Sequence, residues 1–425
     1  MNYKDITKKI KMDSYKMSSL SFEVRNLALL KIQSALAERK EEIFSANRKD
    51  LKNARDNQET EPIVARLLFD QHKLDGILEG LTSLLSLKDP LFNIQLTREL
   101  DQGLILKKET CPIGVIGVIF ESRPDALIQI STLCIKSGNC SILKGGSEAA
   151  NTNRIIFEIL HEAGITAGLP EGFMTLFESR ADIDELIKCH ESIDLLIPRG
   201  SNAFVQYIMD NSKIPVMGHS DGICHVYIDE SADLDKALPI IMDSKAQYVT
   251  ACNTLETLLV HKSMASELLP ALENSSYAGN VQLRGCPKTM EIIDCIPATQ
   301  KDFQTEYLDY ILSIKIVENL EEAIEHINAF GSHHTDCIVT EEAEDASKFM
   351  TLVDSANVYQ NCSTRFSDGY RYGFGAEVGI STGKLHARGP VGLDGLVTYK
   401  YKLFGNGHIV ADYVEGRKNF NFIDK

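Results

Sequence analysis

IGVIGVIFESRPDALIQISTLCIKSGNCSILKGGSEA, residues 113–149, decides the fold. Ile113–Phe120 is an apolar run spaced by glycines, of the length of a buried strand. Ser122-Arg123-Pro124-Asp125 reads as a helix start: Ser122 is placed to cap, Pro124 sits in the first turn, and an acid follows the cap by three residues. The helix stops at Gly138. Ser141–Leu143 is a second short strand. Lys144-Gly145-Gly146-Ser147 then turns into a helix, about 148–163, that ends at Gly164. Strand, helix, strand and helix in this order imply parallel strands covered on both faces.

The alternation continues downstream through MTLF, DIDELIKCH, DLLIP and SNAFVQYIMD. After Gly222 come the strand ICHVYID, a helix near 234–243, and TACNTLETLLV, which runs from a loop into a strand. YILSIKIV, LEEAIEHINAF and CIVT repeat the pattern. Upstream, the first ninety residues carry apolar positions at helical spacing. LTRELDQGLILKKETC (96–111) alternates like a strand pair or an extended arm. The tail 366–425 is rich in glycine and aromatic residues.

Charge and cysteine usage narrow the function. With 44 Lys+Arg against 60 Asp+Glu, the net charge of −16 argues against a nucleic-acid binder. A locally basic pocket for a small anion stays open. The ten cysteines include no CxxC pair, MNYKDITKKIKMDSYKMSS has no apolar signal region, and no apolar run reaches a membrane span. A reducing cytoplasm, with no membrane partner, is the expected setting.

Five motifs carry chemistry, each with a plainer alternative. GxGxxG and the Walker loop are absent. Lys144-Gly145-Gly146-Ser147 offers backbone N–H groups at a helix start as a phosphate cradle, or is simply a tight turn. Gly218-His219-Ser220-Asp221-Gly222 matches GxSxG, the hydrolase nucleophile turn at Ser220, but a strand follows where that motif needs a helix. His333-His334 lacks a second ligand pair, so no metal site is expected. Cys252, in the polar loop Thr250–Asn253, is either an acyl-accepting nucleophile or a half-buried structural thiol. Lys384–Arg388 gathers three potential cations, with Lys384, His386 and Arg388, for an anionic group or for the surface.

Taken together, IGVIGVIFESRPDA, KSGNCSILKGGSEA, IPRGSNAFV, ACNTLETLLVH, FGSHHTDCIVTE and GAEVGISTGKLHARGPVGLDGLVTYK resemble the γ-glutamyl phosphate reductase family of the aldehyde dehydrogenase superfamily, over nearly the whole chain. The resemblance implies an α/β fold that is aldehyde dehydrogenase-like. Its parts are a Rossmann-like NADP-binding domain (1–96 and 111–225), a smaller α/β catalytic domain (226–395) and an oligomerisation flap (97–110 and 396–425). It implies NADPH-dependent reduction of L-glutamyl 5-phosphate to glutamate 5-semialdehyde, a step of proline biosynthesis, through a thioester on Cys252. Partners would be other copies of the chain and the upstream glutamate 5-kinase.

Residue by residue, the resemblance puts Asn253 at the developing oxyanion and Lys144, Gly145, Gly146 and Ser147 at the cofactor. Gly200 and Ser201 fall near the pyrophosphate and Glu306 at the nicotinamide ribose. Ser122, Arg123, His386 and Arg388 would serve the substrate. Superfamily members that make free acids carry a glutamate base in the loop that here reads Gly218–Gly222, and this loop has none. A reductase must keep water from its thioester, so the loss is chemically sensible, although Asp221 offers a second carboxylate. The chain departs from the family at Asp125, at Thr250-Ala251 and at Tyr370. Two alternatives are an aldehyde dehydrogenase with another substrate and a serine hydrolase using Ser220.

Overall fold

In the computed structural model, residues 3–179, 182–219, 221–275 and 281–425 are described, the side chain of Pro62 apart. Ser220 lies outside them. The helical pattern of the first ninety residues resolves into five helices: Tyr3–Met17, Phe22–Glu38, Lys40–Asp56, Glu61–Leu67 and Gln71–Ser86. Ser21 and Asp70 cap the second and fifth by accepting from the Val24 and Lys73 amides. Their apolar stripes, among them Leu29, Ile32, Leu36, Leu74 and Leu81, bury against the first sheet.

That sheet is parallel, in the order Met174–Phe177, Cys140–Gly145, Val115–Phe120, Leu195–Arg199. All six residues of Val115–Phe120 and of Cys140–Gly145 are buried, as expected of strands covered on both faces. The strand order reverses beside Val115–Phe120. This opens a crevice past the carboxyl ends of Val115–Phe120 and Leu195–Arg199, where ligands of doubly wound sheets bind.

Two local expectations change here. Ser122 does not cap the helix Pro124–Lys136; Arg123 stands at that position without a side-chain bond. Ser122 instead adopts φ +48°, because its amide and its hydroxyl both donate to Glu148 Oε1, at 2.6 and 2.8 Å. Gly164 does not end its helix, which runs through Ala150–Thr166 to Gly168 at φ +98°. A Cβ on Gly164 would lie 2.4 Å from the Phe173 ring, so this glycine is a packing seat.

Among the described residues the second sheet has seven parallel strands: Ile296–Pro297, Gln282–Gly285, Ile311–Val317, Leu255–His261, Cys224–Ile228, Thr335–Val339 and Asn357–Gln360. Alternate residues divide between its faces. Val226, Leu258, Ile314 and Cys337 pack one core; Tyr227, Leu259, Ile338 and Phe349 pack the other.

The alternating segment near residue 100 forms a hairpin, Ile94–Asp101 with Leu104–Pro112, turning at Gly103 (φ +78°). Val397–Phe404 pairs antiparallel along Leu104–Pro112, and Ile423–Asp424 adds to the far edge. These strands start three residues before and end two after the expected arm. Residues before 396 differ more. Val378, Val391, Leu393 and Leu396 join the first core, and Asn139 Nδ2 donates to the Leu396 carbonyl at 2.8 Å. Apolar packing thus moves the end of the block expected at 226–395 back across the crevice. No helix is long and apolar enough to cross a membrane among the described residues.

Candidate active site

Cys252 lies in the loop between the helix Leu234–Ala246 and the strand Leu255–His261. Its backbone touches the loop ahead of the neighbouring strand: a Cβ on Gly222 would sit 2.0 Å from the Cys252 carbonyl oxygen. Cys224 Sγ donates to that oxygen at 3.3 Å, and burial holds the Cys224 thiol far above its ordinary pKa, keeping the donor proton in place. The next residue is clamped from a distant segment. The Asn253 carbonyl accepts from Thr364 Oγ1 (2.7 Å), and Asn253 Nδ2 donates to the Ser367 carbonyl (2.8 Å). These two bonds fix Asn253 beside the thiol, and its Oδ1 is buried without a partner.

Two imidazoles flank the thiol. One ring nitrogen each of His219 and His334 lies within 4.8 Å of Cys252 Sγ and of the other. His219 Nδ1 donates to the Ile380 carbonyl at 2.8 Å, which leaves Nε2 as the lone-pair nitrogen. Burial lowers its pKa, so the ring is neutral. His334 stands edge-on to it at 4.7 Å, fully buried, with Nε2 unpartnered. The sequence pair thus splits: His333 turns away to donate to the Asp354 carbonyl, and His334 faces the thiol.

The crevice beside this loop collects the strand ends. Lys144, 4% exposed, donates through Nζ to the Gly145 carbonyl. Glu148, inside the short turn Ser147–Ala149, sets its carboxylate where a Cβ on Gly146 would lie, as Asn153 sets its amide against Gly145. At the start of the helix Asn202–Asn211, the Ser201 amide donates to Glu121 Oε2 at 3.1 Å, and a Cβ on Gly200 would lie 2.6 Å from that oxygen. Glu121 and Glu148 thereby tie together the turns at 121–123, 145–148 and 199–201. Across the crevice, Asn202 Nδ2 donates to Glu306 Oε2 (2.6 Å) and to Asp221 Oδ1 (2.7 Å), and burial raises the Glu306 pKa.

The expected anion cluster is placed differently. Lys384 and Arg388 both pair with Asp354, at 2.6 and 3.0 Å, and His386 Nε2 donates to the Gly395 carbonyl. Arg199 and Arg365 are in electrostatic reach of Cys252, and Arg123 acts in turn on Arg199. Burial lowers the pKa of both Arg199 and Arg365. The sequence reasoning passed over Arg199, Arg365, His219, Glu121 and Glu148. Arg199 ends one strand and Glu121 directly follows another, a signal available without the structure.

A parallel sheet with a dinucleotide crevice, beside a second α/β layer carrying a thiol, is the architecture of a thiol-dependent dehydrogenase. The aldehyde dehydrogenase family model matches residues 2–289. The γ-glutamyl phosphate reductase of Acetivibrio thermocellus is 57% identical over 420 residues, 99% of this chain and 97% of that one. The crystal structure of γ-glutamyl phosphate reductase from Thermotoga maritima superposes with a TM-score of 0.93 at 40% identity, covering 95% of this chain and 99% of that one. An engineered glycolyl-CoA reductase solved with NADP+ shares the fold, with a TM-score of 0.63 at 15% identity over 94% of this chain and 95% of that one. The chain therefore belongs to the aldehyde dehydrogenase family, in its γ-glutamyl phosphate reductase branch, and is an oxidoreductase with a nicotinamide cofactor. The crevice fits that cofactor: the backbone donor at the start of Asn202–Asn211 already holds a carboxylate, an anion's place.

Proposed function

We propose that this chain reduces L-glutamyl 5-phosphate to L-glutamate 5-semialdehyde with NADPH, releasing phosphate, through a thioester on Cys252. The neutral His219 imidazole beside the thiol carries this reading. His219 Nε2 takes the thiol proton, and the thiolate attacks the acyl carbonyl and expels phosphate. NADPH, when bound, supplies the hydride that reduces the thioester. Lys144 would hold its adenosine side, Gly200 and Ser201 the pyrophosphate, and Glu306 the nicotinamide ribose. The proton held on His219 returns as the thiohemiacetal collapses to aldehyde and thiol. Asp221, the remaining acid of residues 218–222, is tied to Asn202, which keeps the thioester from a water-activating carboxylate.

Arg123 and Arg199 serve the departing phosphate, a local basic exception in a chain of net charge −16. The cytoplasm, where the free cysteines stay reduced, is the setting we assign. The arm, with Tyr399, Tyr401 and Leu403 exposed along one strand, joins copies of the chain, and the kinase that makes the labile acyl phosphate is its upstream partner.

The test is phosphate-dependent reduction of NADP+ with glutamate semialdehyde, the reaction run backwards. Cys252→Ala abolishes turnover and Ser220→Ala leaves most of it. Full activity in the Cys252→Ala protein overturns the mechanism, and a wild-type protein that reduces no NADP+ here but cleaves an ester in a Ser220-dependent way favours a hydrolase.

A further inference from the structure

A cavity of about 260 Å³ lies beside the nucleophile loop, lined by Asp243, Gln247, Arg365, Phe366 and Arg371. Its position follows from the clamp on Asn253. Thr364 and Ser367, which hold Asn253 through their Oγ1 and carbonyl oxygen, bracket Arg365 and Phe366 in sequence. The helix Leu234–Ala246 brings Asp243 to the opposite wall.

Arg365 is the unusual member. It is only 8% exposed, yet no acid lies within ion-pair distance of it among the described residues. Gln247 Oε1 fixes its Nε at 2.9 Å, and its terminal nitrogens have no hydrogen-bond partner among the described residues. Asp243 and Asp368 act on it from beyond ion-pair distance, and its face lies 5.8 Å from the Tyr248 ring; a guanidinium so little exposed and with no close counter-ion is costly unless a ligand completes it. Arg371 donates to the Arg365 carbonyl at 2.7 Å, stands 3.9 Å from Asp368, and brings a second guanidinium to the same wall. Two guanidinium groups and one carboxylate around one cavity complement a carboxylate and an ammonium on one carbon.

We infer that this cavity is the seat of the substrate's α-amino-acid head: Arg365 and Arg371 take the α-carboxylate, and Asp243 takes the α-ammonium. The assignment rests on the proposed function, since a γ-acyl phosphate of glutamate carries that head three carbon–carbon bonds from the reacting carbonyl. The substrate then bridges two basic seats, with its phosphate toward Arg123 and Arg199 and its head toward Arg365. Specificity for a glutamyl chain comes from the second seat, and His386 and Arg388 have no part in it.

The experiment compares three aldehydes in the phosphate- and NADP+-dependent reaction: glutamate semialdehyde, 5-oxopentanoate, which lacks the amino group, and pentanal, which lacks both head charges. Arg365→Gln and Arg371→Gln should each raise KM for the first two by roughly tenfold to a hundredfold. KM for phosphate and kcat/KM for pentanal should hold. Asp243→Asn should raise KM for glutamate semialdehyde alone. Pentanal turnover checks that each variant is folded, and Asp243→Asn, on a different element, tests the seat if an arginine variant is not. Equal losses on all three aldehydes overturn the assignment as merely structural. A preference for glutamate semialdehyde kept by all three variants overturns it while leaving the proposed function intact. A wild-type enzyme with no such preference overturns both.

Discussion

Cys252 differs from the other thiols by its neighbours. Burial pushes Cys134 up to about 12 and raises Cys140 and Cys224 well above the ordinary thiol value too, so these stay protonated and inert. Cys252 is only half-buried and has a ring nitrogen of His219 within 4.8 Å. Iodoacetamide should therefore label Cys252 first, with Cys252→Ser as the control in peptide mapping. The depressed pKa of His219 fixes the pH dependence. Its neutral, proton-accepting form persists as pH falls through the ordinary histidine value near 6.5 and is lost only below it. Labelling of Cys252 at neutral pH should slow by roughly a hundredfold in His219→Ala, since the proton acceptor is gone; an unchanged rate removes His219 from the mechanism. Cys252 was legible because a polar loop is an odd place for a core thiol. His219 was not, because it sits in a stretch whose spacing imitates a hydrolase turn, and its meaning depends on Ile380, a partner far along the chain.

Glycines show what can be read at the level of strands and helices. Gly138, expected to stop a helix, does so at φ +71°. Gly164, read the same way, instead gives room to Phe173, and sequence spacing does not distinguish a terminator from a packing seat. Alanine at Gly164 gains about 1 kcal/mol of helix propensity but places a Cβ 2.4 Å from the ring, an overpacking that costs roughly 1–3 kcal/mol. A net loss of stability should appear as a lower urea midpoint with activity retained. At Gly222 the obstacle is the Cys252 carbonyl, which yields only by moving the nucleophile. Gly222→Ala should cut kcat by roughly a hundredfold or more, because a shift of about 1 Å at the reacting group suffices for that; wild-type kcat would show that the contact is not functional. The strand–helix alternation was readable because buried parallel strands are continuous apolar runs. Ser122 was misread because its partner, Glu148, belongs to another turn.

Across the whole molecule the chain closes on itself. Its last strands pair with the hairpin near residue 100, and residues 378–396 return to the first core. No periodicity announces such long-range pairing, whereas alternation did mark the arm itself. Exposed Tyr401 and Leu403 lie along its outer strand. On the proposal that the arm joins copies of the chain, glutamate at both positions should give monomers in light scattering without unfolding them; an oligomeric mass in the variant would place the interface elsewhere. The same closure orders events in time. Asn253 and its holder Thr364 are 111 residues apart, an interval of roughly 5–20 s at ribosomal speed. Until Thr364, Ser367 and Ile380 emerge, the nascent thiol has neither its cradle nor an oriented imidazole, so a prematurely released chain carries an ordinary cysteine. On the proposed mechanism, activation of the nucleophile is among the last acts of synthesis.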